Sequence, residues 1–233
     1  MVQQPRKALL MVWTDIPADL EYEFNEWYIR DHVRERILGV PGFIRGRRFV
    51  SAGGAPKYLA TYEAESSAVL TSEPYRALVR NPDALSRKFI PRFLHTIKGI
   101  CDIAVEAGEA EGAALGMVKL NRVAGQEEQL RLWVAQALLP ELMRQHGVVA
   151  VRYAEQNPVA LAAGTREHLR PTDIYIDAVL MIEAVSAQDL EAALPLVTDE
   201  ALKLHGGVRE GDAQRLDVTY TLHVPPRGAG SAQ

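Results

Sequence analysis

The strongest constraint on this chain is the order of its segments. A strand, a helix, two strands, a helix and a strand follow one another, and the same order then comes round again. Residues 8–14 are an almost wholly apolar run, suited to a strand covered on both faces. Asp15-Ile16-Pro17 interrupts it, and Asp19 can cap a helix over 20–38. Gly39-Val40-Pro41-Gly42 stops that helix, because glycine permits the turn and proline cannot continue the ladder. Residues 43–50 and 58–64 read as strands of a hairpin around the Gly/Pro turn at 51–56. Helical sequence follows from 66, with a short helix at 83–89, and residues 93–105 supply the last strand of this half.

A small acidic segment at 106–112 then serves as linker. Beyond it come a strand at 114–123, a helix at 127–145, strands at 148–153 and 173–184, a helix at 187–197 and a closing strand at 215–224. Laying Pro41-Gly42 on His146-Gly147 aligns the halves and puts Arg47 on Arg152. The expected organisation is a first half over 1–106, a second over 113–225 and a disordered Pro/Gly/Ala-rich tail at 226–233. The fold class is α+β: two ferredoxin-like β-α-β-β-α-β repeats with antiparallel sheets. Residues 154–172 read as a long loop, a lid or an oligomer arm.

The first helix carries the functional signal. Advancing 100° per residue from Leu20 gathers Glu23, Glu26, Arg30 and Arg34 on one side, the solvated face. Opposite lie Asn25, Tyr28 and His32, flanked by Leu20, Phe24 and Trp27 on one edge and Tyr22, Ile29 and Val33 on the other. Three polar groups in an inward stripe satisfy one another or line a cavity, since each costs about 1–3 kcal/mol if buried unpaired. Under the same overlay their counterparts are Leu130, Trp133 and Ala137, an apolar stripe. The fold does not require polar residues there, yet the first half has them. A satisfied core histidine is the alternative to a ligand-facing one.

Glu23-Phe24-Asn25-Glu26-Trp27-Tyr28, then Asp31-His32-Val33, Val40-Pro41-Gly42-Phe43 and Arg47-Arg48-Phe49, resemble the dimeric α/β-barrel superfamily, nearest its EthD-like branch. The resemblance is specific over residues 8–64 and only topological in the second half. It implies two four-stranded antiparallel sheets joined in a barrel and a pocket faced by His32. It also implies chemistry on small aromatic, polyketide-like or lactone compounds, by monooxygenases, isomerases, cyclases or lyases that often need no cofactor; other members bind haem.

The expected function is a cofactor-independent enzyme performing proton transfer on a small carbonyl compound. His32 is the general acid/base, with an imidazole that ordinarily titrates near neutrality, and Tyr28 is its catalytic assistant. Asn25, Trp27, Trp13 and Tyr62 are substrate-binding candidates, as are Arg45, Arg47 and Arg48, the arginines as anchors for developing negative charge or as structural ion pairs. Alternation puts Arg45 and Arg47 on one strand face and Arg48 on the other. The alternatives are a non-catalytic small-ligand or stress-response module, and a haem protein or monooxygenase with His32 or His95 as axial ligand. No cofactor and no metal are called for: no His/carboxylate spacing supports a metal site, and no glycine-rich nucleotide motif occurs.

The expected partners are a small-molecule ligand and, for the chain itself, either a second copy in a homodimer or none, as a pseudo-dimeric monomer. A net charge of −4 argues against a nucleic-acid partner. No run approaches the roughly 18 apolar residues of a membrane span, and the apolar N-terminal stretch reads as a strand and not a signal peptide. Cys101, the one cysteine, sits in an apolar run and reads as a core thiol. A cytoplasmic location is the default expectation.

Overall fold

The computed structural model describes residues 6–168 and 173–225; the tail expected to be disordered, 226–233, lies outside the described residues. In chain order the first half contains β1 (Ala8–Asp15), α1 (Glu21–Trp27), a π-turn (Tyr28–His32), α2 (Val33–Gly39), β2 (Phe43–Ser51), β3 (Tyr58–Ala64), α3 (Glu73–Arg80), α4 (Ala84–Phe89) and β4 (Leu94–Ala107). The second contains β5 (Ala114–Arg122), α5 (Glu127–Trp133), a π-turn (Val134–Leu138), α6 (Leu139–Met143), β6 (Val148–Gln156), α7 (Pro158–His168), β7 (Ile174–Tyr175), β8 (Ala178–Ala184), α8 (Ala187–Ala193), α9 (Asp199–Leu204), β9 (Gly207–Arg209) and β10 (Gln214–His223).

Each half forms an antiparallel sheet, in the order β2-β3-β1-β4 and β10-β5-β8-β6. The sheets join edge to edge through β2–β10 and β4–β6, so the eight strands close into one barrel within a single chain. Two long strands make the joins. β4 pairs with β1 and then, beyond Cys101, with β6, while β10 pairs with β5 and then with β2. Closure leaves these eight strands without a free edge.

Alternation along β1 assigns the layers. Leu9, Met11 and Trp13 point into the barrel and pack with Phe49, Leu59, Met117 and Met181. Ala8 and Leu10 point outward and pack with Phe24, Trp27, Val33 and Ile37 of the covering helix. An equivalent outer core, with Leu130, Val134, Leu138 and Leu142, covers the second sheet. Cys101 is fully buried, and burial pushes its thiol up to about 12.

Three departures from the expected segments matter. The long strand at 173–184 is two: Ile176 and Asp177 separate β7, which pairs in parallel with β4, from β8. The expected loop at 154–172 begins as the end of β6 and then forms α7, which packs on the 3-10 turn Val69–Thr71 of the other half. Its residues 169–172 lie outside the described residues. Finally, each covering helix is interrupted by a π-turn, in which Val33 N–H reaches Tyr28 O and Leu139 N–H reaches Val134 O. The extra residue rotates everything that follows relative to a constant 100° step.

Gly46 on β2 shows how tightly that helix sits. A Cβ there would lie 2.6 Å from Val33 Cγ1 and 2.9 Å from Ile37 Cγ1. Gly46→Val is therefore expected to cost about 1–3 kcal/mol in urea unfolding by lifting α2 off the sheet. Gly39→Ala, where nothing lies within 4 Å, is the neutral control.

Candidate active site

A cavity of about 760 Å³ opens between the outer face of the first sheet and its covering helices. Tyr28, His32, Glu35 and Arg36 of the first helix, Leu10 of β1 and Tyr62 of β3 form its inner wall. Lys98 and Ile100 of β4 continue the sheet side, Ile100 being the cross-strand neighbour of Leu10; α3 and α4 add to the lining, and Ala163 of α7 with Tyr175 of β7 complete it. The segment between β6 and β8 thus belongs to the second half in sequence and to the first half's cavity in space.

His32 is 5% exposed, with its ring centroid 4.1 Å from that of Trp27 and edge-on to Tyr28 at 4.9 Å. Arg36, one turn on, places Nη1 3.0 Å from His32 Nδ1 and 2.9 Å from His32 O. A guanidinium can only donate, so Nδ1 accepts and the proton of the neutral ring sits on Nε2. Burial, with Arg36 and then Arg48, holds the imidazole well below its usual range. His32 is therefore a neutral Nε2–H donor near pH 7, not a group poised to exchange protons there.

Burial also sets the other titratable groups. It raises Glu35, which has one carboxylate oxygen buried without a partner, against the opposing pull of Arg36. It raises Tyr62 strongly; that hydroxyl is buried and has no partner. Arg36 remains above its ordinary value despite burial, because Tyr62, Tyr75, Glu35 and Tyr28 surround it.

Of the expected site residues, Tyr28, His32 and Tyr62 meet at this cavity. The others do not line it. Asn25 is half-buried and donates to Tyr58 Oη (3.2 Å) and Glu21 O (2.9 Å), because it precedes the π-turn and falls at the helix edge. Tyr22, expected on the inward flank, is 80% exposed. Trp27 is core, packed on His32 and Phe89. Trp13 points into the barrel, where Nε1 donates to Pro56 O. His95 is exposed and bonded to Asp15, away from the cavity.

The strand arginines split by face as alternation requires. Arg45 and Arg47 enter the barrel interior, where Arg45 pairs with Glu63 and Glu111, and Arg47 with Glu183. Arg48 lies on the outer face, its Cζ 3.9 Å from the centroid of Tyr28, with Phe24 and Tyr58 also close. Its Nε and Nη1 are buried without partners, and burial lowers its pKa. It supports Tyr28 from behind. Asn25→Ala is accordingly expected to cost about 1 kcal/mol in thermal unfolding, while a ligand titration shows affinity unchanged to within about twofold.

Arg36 and Glu35 extend the site beyond the predicted set. Arg36 stands four residues after His32, which puts the two on one helix face; that spacing was the available signal. The second half sharpens the contrast. Ala137 is exposed and Trp133 only half-buried, so the simple overlay is off by one in this helix. Aligning the π-turns places Tyr28 on Val134, His32 on Leu138 and Arg36 on Leu142, all three buried and apolar. Where one half has a polar wall, the other has core.

A haem centre does not fit these residues. A metal-ligating imidazole normally donates its second N–H to a carboxylate or carbonyl. His32 instead accepts from a cation at Nδ1, so Nε2 keeps its proton.

Structural comparison places the whole chain in one fold. An anthrone oxidase-like protein superposes with a TM-score of 0.62 at 12% identity, over 99% of this chain and 98% of that one. A candidate monooxygenase from Lactobacillus acidophilus NCFM gives 0.60 at 9% identity, over 94% and 96%. A mutant chlorite dismutase from Candidatus Nitrospira defluvii gives 0.52 at 9% identity, over 94% and 94%. The architecture is that of the ferredoxin-like dimeric α/β barrels, here closed in one chain. No family model and no curated protein matches the sequence.

Proposed function

We propose that this chain is an enzyme that moves a proton on a small, largely apolar carbonyl compound held in the first-half cavity, with no resident cofactor. The observation that carries this is the asymmetry of the covering helices: Tyr28, His32 and Arg36 stand at a cavity where Val134, Leu138 and Leu142 are core. The EthD-like resemblance of residues 8–64 supports the substrate class, as does the fold shared with an anthrone oxidase-like protein. Isomerisation, dehydration and cyclisation are the reactions within its reach.

The roles follow from protonation state. The Nε2–H of His32 donates to the carbonyl oxygen, and Arg36 stabilises the negative charge that grows there on enolisation. Glu35 is the base: its carboxylate takes the proton from the carbon next to the carbonyl, and its raised pKa lets it hold that proton and return it elsewhere. Tyr28 orients the bound compound beside the imidazole, with Arg48 fixing its ring from below. Closure of the barrel within one chain supports a pseudo-dimeric monomer as the working unit.

Native mass spectrometry of the freshly purified chain identifies any co-purified compound. That compound and a panel of aromatic ketones and lactones are then followed by proton NMR in D2O. Washout of the proton next to the carbonyl, faster than in buffer, is the expected result. No washout from any of them would remove the enzymatic reading and leave a binding module.

A further inference from the structure

We infer that the ligand carries one acidic oxygen group, a carboxylate or the ionised oxygen of an enol or phenol, on an apolar body, and that Arg36 is its anchor. This rests on the cavity being a small-molecule site and names the chemistry it selects. Arg36, Arg76, Arg87 and Lys98 reach the cavity wall, where Glu35 is the lone carboxylate among the described residues. Lys98 is held by Asp173 at 2.5 Å. Arg36 is buried and has no carboxylate within ion-pair distance among the described residues; Nη1 donates to His32 Nδ1 and O, and Tyr75, a neutral phenol, is its other hydrogen-bond partner.

A buried guanidinium without a counter-ion is a costly arrangement unless something else supplies the charge. The groups around it are also donors. The Tyr62 hydroxyl, 1% exposed as a residue and unpartnered, lies on the same wall, with Arg36 Cζ 5.6 Å from its ring centroid. His32 adds its Nε2–H. An array of donors around a buried guanidinium that has no carboxylate partner among the described residues is complementary to an anionic acceptor, and a planar carboxylate or enolate matches the guanidinium fork. The rest of the wall (Leu10, Val12, Leu70, Ile90, Phe93 and Ile100) accepts an apolar body.

Matched probes test this at pH 7 by calorimetric titration: 2-naphthoate, its neutral isostere 2-naphthamide, and 2-naphthol. Naphthoate is expected to bind at least tenfold more tightly than naphthamide. Arg36→Met should abolish that preference by weakening naphthoate far more than naphthamide, and Arg36→Lys should restore part of it. Tyr62→Phe, which keeps the ring, should reduce the preference severalfold and covers the case in which Arg36→Met fails to fold. Naphthol, titrated additionally as the pH is raised through the ionisation of its own hydroxyl, assigns the enol or phenol source if it tightens; naphthol that stays weak assigns the carboxylate. Naphthamide binding as tightly as naphthoate would overturn the anchor and leave the cavity reading standing. No binding of any probe would overturn both.

Discussion

Glu183→Gln is expected to lower the stability of this fold by about 3 kcal/mol, the scale of removing one partner from a buried charge network. The Glu183 side chain lies inside the barrel, 1% exposed. Oε2 pairs with Arg47 at 2.6 Å and accepts from Gly112 N–H at 2.9 Å, while Oε1 pairs with Arg152 at 2.5 Å. Glutamine keeps the shape and removes the charge, so the loss measures two guanidiniums left buried against a neutral amide. In a chain of this size about 3 kcal/mol corresponds to a fall of roughly 6–12 °C in the thermal midpoint. Glu191→Gln, at an exposed pair with Arg215, should cost less than about 1 kcal/mol. Equal midpoints for the two variants would show that the interior network contributes no more than a surface pair.

The same residue predicts the acid limb. Burial alone would raise the Glu183 pKa; Arg47 and Arg152 override it and hold it below the usual carboxylate value. A carboxylate with a depressed folded pKa stabilises fully above its unfolded pKa and loses that contribution as pH falls through the folded one. The Glu183→Gln variant should therefore show a shallower decline of stability below the usual carboxylate range, measured by urea unfolding as a function of pH.

The parts legible in the sequence were those written in periodicity and punctuation. The order of strands, the hairpin at β2–β3 and the solvated face at Glu23, Arg30 and Arg34 all follow from alternation, turn residues and helical spacing. A π-turn leaves no such mark. It adds one residue to a turn without a change of composition, so a constant 100° step drifts and puts Asn25 and Ala137 on faces that they do not occupy. Burial of charge is equally silent. Arg45, Arg47 and Arg48 look alike in sequence, yet the first two meet Glu63, Glu111 and Glu183 from other strands and the linker, while Arg48 lies over the Tyr28 ring. α7 shows the third limit: its own half gives no hint that it helps to enclose the cavity of the other.

His32 offers the second large effect, and the choice of replacement decides what it means. In His32→Asn the amide oxygen stands near the Nδ1 position and can still accept from Arg36, but the donor at the Nε2 position is lost. In His32→Gln the longer amide returns a donor near Nε2 and gives up the contact with Arg36. If His32 acts as a neutral donor, Asn should lower kcat by about 10²–10³, the usual effect of deleting one oxyanion-stabilising hydrogen bond. Gln should recover part of that loss. If His32 instead shuttled the proton, neither amide could substitute, and both variants would fall equally. The pH profile gives an independent reading. With the imidazole held well below its usual range, the wild-type rate should show no inflection from His32 near pH 6.5. Stability should show one, since the unfolded chain takes up a proton at that histidine as pH drops below about 6.5 while the folded chain refuses it. Stability therefore falls with pH in this window, and His32→Asn should remove that part of the slope. A wild-type rate that titrates near 6.5 together with an unchanged stability slope in His32→Asn would show that the ring ionises freely in the fold, and would return His32 to the role of a proton shuttle.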